Sequence, residues 1–386
     1  MMKYFSLTKT NLIFDLKGIE DNVGVFDKFS KIVVLTGKNH LKLSDEYERI
    51  FKFFSSLGKE FLFVSEVTPN PTTDLVERCF ELLKDFMPDV IVAIGGGSVI
   101  DTAKALSVKL VYPGVDLWDY AEGVKVADKA IPVISVPTTS GTGSEVNRIS
   151  VITNPKKVQK RSIKMDVLYP YFSLLIPSMT LSLNKFLTAT TAIDALSHAI
   201  EAMVSKKSNF MTQAFAEKSI RLIVDNIFRA YNDGSNLEVR KNLQYASVLS
   251  GVAIDISGVG LMHALEHPIS ARFPHVSHGQ GLAVVFKKVI EHSFMFAVDK
   301  FRIVAEAMGI RTKGNNDFAI LHTMLDAFEY MLSYFGLNKR LSDLGVEKSD
   351  VKYLADDVVS YMTSSLNNSP YTPTRDSVEK IYREVL

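Results

Sequence analysis

In the first 180 residues, short continuous runs of apolar residues alternate with amphipathic stretches. The stretches at 45–58 and 72–86 repeat apolar residues at the period of an α-helix. Because the apolar runs show no polar alternation and several are separated by helical stretches, they predict the buried strands of a doubly wound parallel sheet. The predicted strands are KIVVLTG (31–37), EFLFVSEV (60–67), DVIVAIGGG (89–97), IPVISVPTT (131–139), SVITN (150–154) and YFSLLIP (171–177).

From about residue 180 the pattern changes to long stretches with helical periodicity. Such stretches include 185–205 and 211–231, and β-rich runs bounded by turns almost disappear. A last helix, DSVEKIYREV, follows the Pro-rich turn SPYTPT. The chain is therefore predicted to have an α/β N-terminal domain over 1–180 and an all-α C-terminal domain over 181–386, with the boundary near Ser178–Leu183.

Composition restricts the partners more than the fold. Of the 386 residues, 47% are hydrophobic and 23% charged, as in ordinary globular proteins, and the formal net charge is +1. Such a balance gives no reason to expect nucleic acid or a membrane surface as a partner. Cys79 is the only cysteine, the N-terminus does not read as a signal peptide, and no apolar run approaches the roughly 18 residues that span a bilayer. We expect a cytoplasmic protein.

Two loops rich in glycine and hydroxyl residues follow predicted strands. GGGSVIDTAKA (95–105) opens a helix, and glycines at a helix N-terminus favour the close approach of a phosphate. The usual dinucleotide motif has a third glycine where this chain has Ile100, and a capping box of Ser98 with Asp101 is an equally good explanation. PTTSGTGSEV (137–146) either lines the crevice where parallel sheets bind ligands or forms a flexible polar loop.

A carboxylate and several histidines cluster in the second half of the chain. Asp194 and His198 are four residues apart, which on a helix places them on one face, one turn apart. A carboxylate among Ala, Ile and Leu needs a partner such as a metal or an imidazolium. A lone helical histidine is usually a core or surface residue, but a cluster favours coordination. Four of the eight histidines lie close together, at His263, His267, His275 and His278.

An alternative explanation covers part of this cluster. His263 to His267 fit the H-x-x-E-H pattern of inverted zinc proteases. Patterns of five residues arise often by chance, and this one leaves both the glycine-rich loops and the Asp194–His198 pair unexplained.

Several motifs together resemble the iron-dependent (group III) alcohol dehydrogenase family, from end to end of the chain. They are GGGSVIDTAK (95–104), IPVISVPTTSGTGSEV (131–146), TAIDALSHAIEA (191–202), MHALEHPI (262–269), SHGQGLAVVF (277–286) and the closing SPYTPTRDSVEKIYREVL. The resemblance implies a dehydroquinate synthase-like fold: a dinucleotide-binding α/β domain, a helical metal-binding domain and an active site in the cleft between them. It also implies an oxidoreductase that transfers a hydride between NAD or NADP and a small alcohol or aldehyde, with Fe²⁺ or alternatively Zn²⁺.

The resemblance also assigns roles to individual residues. The metal ligands correspond to Asp194, His198, His263 and His278. The histidine beside the nicotinamide corresponds to His267, a catalytic proton relay, whereas His275 has no role in the family. The gap from His263 to His278 is one residue longer than usual, but the His278-Gly279 pair favours His278 over His275. The cofactor contacts correspond to Gly37, Lys38, Asn70, Gly95, Gly96, Gly97, Ser98, Asp101, Thr138, Thr139, Thr142, Ser144, Lys160 and Leu183.

The segment LTGKN (35–39) bears on the choice of cofactor. Family members that prefer NAD tend to carry an aspartate there, where an acidic residue holds the ribose hydroxyls. In this chain Gly37 stands at that place and Lys38 follows. Because no carboxylate stands there and a cation lies nearby, the 2′-phosphate of NADP could be accommodated. We therefore expect NADP(H) to be favoured over NAD(H).

Three apolar residues match positions that line the family's cleft: Ile149, Val151 and Ile254. They suit a small unbranched or weakly polar alcohol, although ordinary core packing explains them equally well. A polyol dehydrogenase of the glycerol or propanediol type and a dehydroquinate synthase-like lyase are alternatives on the same scaffold. A nucleotide-binding regulatory protein with a structural metal is a more remote alternative. The resemblance is compatible with a homodimer.

Overall fold

A computed structural model describes residues 8–21, 23–38 and 45–386. In these ranges the strands are Asn11–Phe14 (β1), Lys31–Gly37 (β2), Glu60–Val67 (β3), Val90–Gly95 (β4), Val133–Pro137 (β5), Ile149–Asn154 (β6), Gln159–Lys164 (β7) and Phe172–Leu175 (β8). Six of them form one parallel sheet in the order β1-β8-β5-β4-β2-β3. The predicted parallel α/β fold of the N-terminal part is confirmed.

Both faces of this sheet are covered, as expected for continuous apolar strands. The helices of this part are Asp15–Asp21 (α1), Asp45–Ser56 (α2), Thr73–Leu83 (α3), Gly97–Val111 (α4) and Leu117–Ala121 (α5). Strand β4 is buried at every position, and its alternate residues point to different cores. Ile91 and Ala93 share a core with Leu75 of α3, whereas Val90 and Val92 belong to a second core on the opposite face.

Two strands were not predicted, and one predicted strand has a different partner. β1 (NLIF) and β7 (QKRSIK) are the additional strands. The predicted strand at 150–154 is present as β6, but it pairs antiparallel with β7 outside the parallel sheet. Its connection to β7 is a four-residue turn, and a parallel crossover needs a dozen residues or more.

The parallel sheet gathers the ends of its central strands at one edge. Thr36 of β2 pairs with Ile94 of β4, and Gly95 at the end of β4 pairs with Pro137 at the end of β5. Because parallel strands share one direction, the loops that follow β2, β4 and β5 leave the sheet at the same edge.

After residue 184 the described elements are helical apart from short 3-10 turns, as predicted. The helices are Lys185–Val204 (α6), Phe210–Asn232 (α7), Leu237–Ser257 (α8), Leu261–Arg272 (α9), His278–Ser293 (α10), Val298–Ala307 (α11), Asp317–Tyr334 (α12), Asp350–Tyr361 (α13), Thr363–Asn368 (α14) and Arg375–Val385 (α15). Helix α6 begins at the N-cap Asn184, whose side chain accepts a hydrogen bond from the Leu187 amide, and it is buried on nearly every side from Thr188 onward.

The contacts divide the chain into two compact units. One comprises Met1–Leu183 and Gly234–Gln244, and the other comprises Asn184–Asp233 and Tyr245–Leu386. Across the described residues, no single helix is long and apolar enough to cross a membrane. The pair Leu237–Ser257 and Leu261–Arg272, bent by 100°, meets that test of length and composition only when taken together.

Candidate metal centre and nucleotide-binding loops

The four predicted metal ligands converge in the helical unit. Helix α6 carries Asp194 and His198, α9 carries His263 close to its start, and α10 begins at His278. The Nε2 atoms of the three imidazoles lie 3.6, 3.8 and 3.7 Å from one oxygen, Oδ1 of Asp194, in the order of their numbers. The rings of His198 and His263 are stacked, with centroids 4.6 Å apart.

This arrangement fits a divalent metal ion. Asp194 Oδ1 and His263 Nε2 are buried and have no hydrogen-bond partner among the described residues. A buried polar atom without a partner costs free energy, and a shared cation would satisfy both. Two ligand atoms about 2.1 Å from a tetrahedral ion lie roughly 3.4 Å apart, close to the separations given above. Three imidazoles and one carboxylate suit Fe²⁺ or Zn²⁺.

The other two histidines of the cluster have different positions. His267 is buried, and its ring centroid lies 6.2 Å from that of His263 and 5.7 Å from that of His278. His267 could also hold an ion together with Glu266 and His278. His275 instead points its Nε2 at the Leu344 carbonyl, 3.0 Å away, and belongs to neither potential metal group found in the described residues. The geometry therefore favours His278 over His275.

Two carboxylates of this site were missed by the sequence analysis. Glu201 Oε2 lies 2.5 Å from His263 Nδ1, and Glu266 Oε2 accepts a hydrogen bond from His278 Nδ1. A signal for Glu201 was present, because it lies seven residues after Asp194 and therefore on the same helix face. The signal for Glu266 was its place three residues after His263. The sequence analysis had interpreted that spacing only as part of the H-x-x-E-H protease pattern.

These charges shift the pKa values of the centre in opposite directions. Burial alone would raise the pKa of Asp194, but the nearby histidines, His198 first, lower it to about 2. Burial alone would lower the pKa of His263, but the negative charges of Glu201 and Asp194 raise it from 6.5 to about 9. The His263 Nε2 to Asp194 Oδ1 separation of 3.8 Å is too long for a hydrogen bond, so Asp194 acts here through charge.

We expect metal affinity to rise with pH. An ion needs His263 Nε2 without its proton, so binding to the metal-free protein displaces one proton below pH 9. The apparent affinity should rise about tenfold per pH unit from pH 7 and level off near the pKa of about 9. Competition between the protein and a chelator for Zn²⁺, corrected for protonation of the chelator, measures it. An affinity that stays constant over this range would contradict the assignment.

The same pKa shift affects the metal-free fold. Because the pKa of His263 is raised on folding, its charged form contributes to the stability of the metal-free protein. This contribution is fully present below pH 6.5. That contribution is lost as the pH rises through about 9.

A close helix contact holds His278 beside Asp194. Helix α10 packs on α6 through Gly279, where a Cβ atom would lie 2.1 Å from the backbone oxygen of Thr190. No side chain fits at that distance, so the glycine permits the approach of the helices that carry Asp194 and His278.

The first glycine-rich loop leads directly into α4. The N-cap of this helix is Gly96, without a side-chain hydrogen bond, so the capping box of Ser98 with Asp101 is wrong. The carboxylate of Asp101 instead accepts hydrogen bonds from Ser144 Oγ at 2.6 Å and from the Val151 amide at 3.0 Å. Asp101 thus connects the first loop region to the second.

The two small-residue loops lie against each other. A Cβ on Gly97 would come within 2.3 Å of Thr142, and one on Gly96 would come within 3.0 Å of Thr139. Packing alone therefore explains why these positions are glycine. The second loop is buried and hydrogen-bonded, unlike a flexible polar loop, and the Thr138 hydroxyl is buried with no partner among the described residues.

Lys104 organises this region, and the sequence analysis missed it. Its side chain is buried, and its Nζ lies 2.6 and 2.8 Å from the carbonyl and hydroxyl oxygens of Ser144. The same nitrogen lies 2.8 Å from the Asn147 carbonyl oxygen and 2.9 Å from that of Ile149. A buried ammonium with several acceptors fixes the course of the second loop.

The remaining predicted cofactor residues lie in the α/β unit. Gly37 ends β2, and the exposed Lys38 has its Nζ 3.5 Å from Glu66 on the neighbouring strand. Lys160 of the hairpin donates a hydrogen bond to Asn70 Oδ1 at 3.3 Å.

Leu183 is held at its backbone, since its carbonyl accepts a hydrogen bond from Arg240 at 3.0 Å. Of the predicted substrate-pocket residues, Ile149 and Val151 are half-buried and Ile254 is buried.

Comparison with known proteins agrees with this geometry. Residues 10–177 match the family model for iron-containing alcohol dehydrogenase, and residues 188–386 match the C-terminal model of the Fe-containing alcohol dehydrogenase family. The chain is 32% identical over 384 residues to the long-chain primary alcohol dehydrogenase AdhA of Thermoanaerobacter ethanolicus, covering 99% of this chain and 94% of the relative.

Two further proteins extend the comparison. The 1,3-propanediol dehydrogenase of Citrobacter freundii is 31% identical over 360 residues, covering 91% of this chain and 92% of the relative. A solved structure of an archaeal halo-thermophilic alcohol dehydrogenase from a Red Sea brine pool superposes with a TM-score of 0.92, at 28% identity and with all of both chains covered. The chain therefore belongs to the iron-containing alcohol dehydrogenase family and is a metal-dependent alcohol dehydrogenase.

Proposed function

We propose that this enzyme interconverts small alcohols and aldehydes with Fe²⁺ as its metal, Zn²⁺ being the alternative, and NADP(H) as its preferred cofactor. The observation that carries the proposal is the convergence of three imidazole Nε2 atoms on one buried oxygen of Asp194. When bound, the ion would polarise the substrate oxygen and the nicotinamide would exchange a hydride with the substrate carbon.

The chain's own residues would supply binding, orientation and proton transfer. Asp194, His198, His263 and His278 would hold the ion. The glycines of the first loop and the start of α4 would bind the pyrophosphate, which the free amides of a helix N-terminus favour. His267 is buried near His263 and His278, and it would relay the proton that leaves or joins the substrate oxygen.

The substrate is proposed to be small and weakly polar. Ile149, Val151 and Ile254 offer only hydrocarbon surface, which favours an unbranched alcohol over a sugar phosphate. A propanediol-type polyol is the second candidate, because one relative that is 31% identical to this chain is a 1,3-propanediol dehydrogenase. A cytoplasmic location is part of the proposal and agrees with the single, buried Cys79.

An aldehyde panel tests the proposed activity. The purified protein is stripped of metal, reloaded anaerobically with Fe²⁺ or Zn²⁺, and assayed for NADPH oxidation with linear aldehydes and with hydroxyaldehydes. We expect turnover only in the reloaded samples, highest with unbranched aldehydes. Tight binding of cofactor and metal without turnover on any substrate would instead favour the alternative of a nucleotide-binding regulatory protein with a structural metal.

The same assay compares NADPH with NADH. The exposed Lys38 would attract a 2′-phosphate, but Glu66 lies 3.5 Å from its Nζ and offsets part of that charge, so we expect a preference of only about tenfold. Lys38→Ala should remove the NADPH preference and leave kcat/KM for NADH nearly unchanged. Lys52→Ala is the matched control, since Lys52 pairs with Glu48 in a similarly exposed position. A strong NADH preference in the unaltered enzyme would overturn this part of the proposal.

A further inference from the structure

The Glu201 side chain serves two groups at once. It is buried, its Oε2 lies 2.5 Å from His263 Nδ1, and its Oε1 accepts a hydrogen bond from the Met262 amide at 2.6 Å. Helix α9 begins after the N-cap Gly260, which offers no side chain for capping. A carboxylate of α6 therefore caps the helix that carries His263, and the same carboxylate binds the imidazole.

Glu266 has the corresponding relation to the third histidine. It is 0% exposed and accepts a hydrogen bond from His278 Nδ1. Gly281 makes room for it, because a Cβ there would lie 2.9 Å from Glu266 Cγ. Gly260 likewise leaves room for Glu201, since a Cβ there would lie 3.3 Å from its Oε1.

These contacts determine where each imidazole carries its proton. An ionised carboxylate only accepts, so Nδ1 of His263 and of His278 must be protonated. In the neutral imidazole the lone pair then lies on Nε2, the atom that faces Asp194 at 3.8 and 3.7 Å. The opposite tautomer would direct an N–H at that place and could not bind a cation.

We propose that Glu201 and Glu266 are positioning residues of the metal centre, which fix the tautomer and ring orientation of His263 and His278. The inference rests on the proposed metal ligands. It adds the two carboxylates that keep the Nε2 lone pairs of His263 and His278 available for the ion. The inference concerns these two imidazoles, whose Nδ1 atoms contact the carboxylates of Glu201 and Glu266. Outer carboxylates of this kind typically contribute 10- to 100-fold to metal affinity.

Glu201→Gln is the sharper test because the amide has only one acceptor oxygen. The Met262 amide can only donate, so that oxygen stays with the helix cap and the NH₂ group faces His263 Nδ1. The imidazole must then accept at Nδ1 and carry its proton on Nε2. The variant thus keeps the cap and reverses the tautomer, which separates a positioning role from a purely structural one.

The measurement uses Co²⁺ alone as the probe, followed through its visible absorption spectrum and by chelator competition. We expect Glu201→Gln and Glu266→Gln to bind Co²⁺ 10- to 100-fold more weakly and with an altered spectrum. The metal-free Glu201→Gln protein should keep its helix cap and unfold cooperatively, at a lower Tm because the buried His263 loses a negative partner. Asp357→Asn is the matched control, because Asp357 pairs with Arg272 of the same helix α9. It should bind Co²⁺ like the unaltered protein.

The outcomes separate the two levels of the proposal. Unaltered affinity and spectrum in both glutamine variants would overturn the positioning role and leave the metal centre standing. Equal weakening in Asp357→Asn would show a general effect of charge and would also overturn it. Failure of the unaltered protein to bind Co²⁺ would remove the metal centre and the inference with it. If Glu201→Gln does not fold, Glu266→Gln decides.

Discussion

Alanine at position 263 should abolish metal retention and turnover together. His263→Ala removes an imidazole whose Nε2 faces Asp194 and leaves Glu201 without one of its two partners. We expect less than one tenth of the metal content of the unaltered enzyme and a loss of kcat/KM of about 10³-fold or more, the order seen when an essential electrostatic group is removed. Metal analysis of the purified protein and NADPH oxidation on the same samples measure both quantities.

The control for this variant is His275→Ala. His275 lies in the same stretch of chain, but it contacts the Leu344 carbonyl and should be dispensable for turnover. Calorimetry should show that His263→Ala still unfolds cooperatively, at a lower Tm, because a buried carboxylate loses its partner. Full activity in His263→Ala, or equal losses in both variants, would refute the ligand assignment.

Gly279→Ala, which adds a single methyl group, should lower the stability of the helical unit more than any other glycine-to-alanine change there. Its Cβ would lie 2.1 Å from the Thr190 backbone oxygen, so α10 must move away from α6. Overpacking usually costs about 1–3 kcal/mol, and a clash with backbone rather than with a side chain places this variant at the upper end, about 3 kcal/mol. Denaturant unfolding of the metal-free protein measures the cost in free energy.

The same displacement should weaken the metal centre. His278 begins α10 and Asp194 lies on α6, so separating these helices increases the distance between two of the proposed ligands. We expect lower metal affinity even where the variant remains folded. Gly114→Ala is the matched control, because a Cβ there meets nothing within 4 Å. Stability within about 0.5 kcal/mol of the unaltered protein in Gly279→Ala would contradict the close approach.

The pattern of apolar residues was sufficient for five of the six strands of the parallel sheet, but not for β1 or for β7 of the hairpin. β2 and β4 are buried runs, β3 at the sheet edge is mostly half-buried, and the predicted positions of all three agree with the structure. β7 carries three basic residues, and its buried positions are only Lys160 and Ile163, so its polar half conceals the strand. β1 is only four residues long and pairs along one edge, which leaves too few positions for a pattern.

The proposed ligands could be predicted from the sequence, whereas Glu201 and Glu266 left only a signal of spacing, which does not show what they contact. Asp194 and His198 show themselves through a helical spacing within an apolar context. Glu266 and Lys104 act through contacts with residues 12 and 40 positions away, and the sequence around them does not show these partners. Their burial, 0% exposed in both cases, is a property of the tertiary structure alone.

The buried contacts of Lys104 also bear on how the cofactor is received. Its Nζ donates to the carbonyl and hydroxyl oxygens of Ser144 in the second glycine-rich loop and to the Asn147 carbonyl just after it, and Asp101 holds the same loop through Ser144. The backbone course of this loop is thereby set during folding, by bonds within the protein itself. If the nucleotide binds there as proposed, it meets a preorganised surface, so little conformational entropy of the loop has to be lost on binding. Affinity for the cofactor should then depend mainly on the contacts made and only weakly on loop ordering.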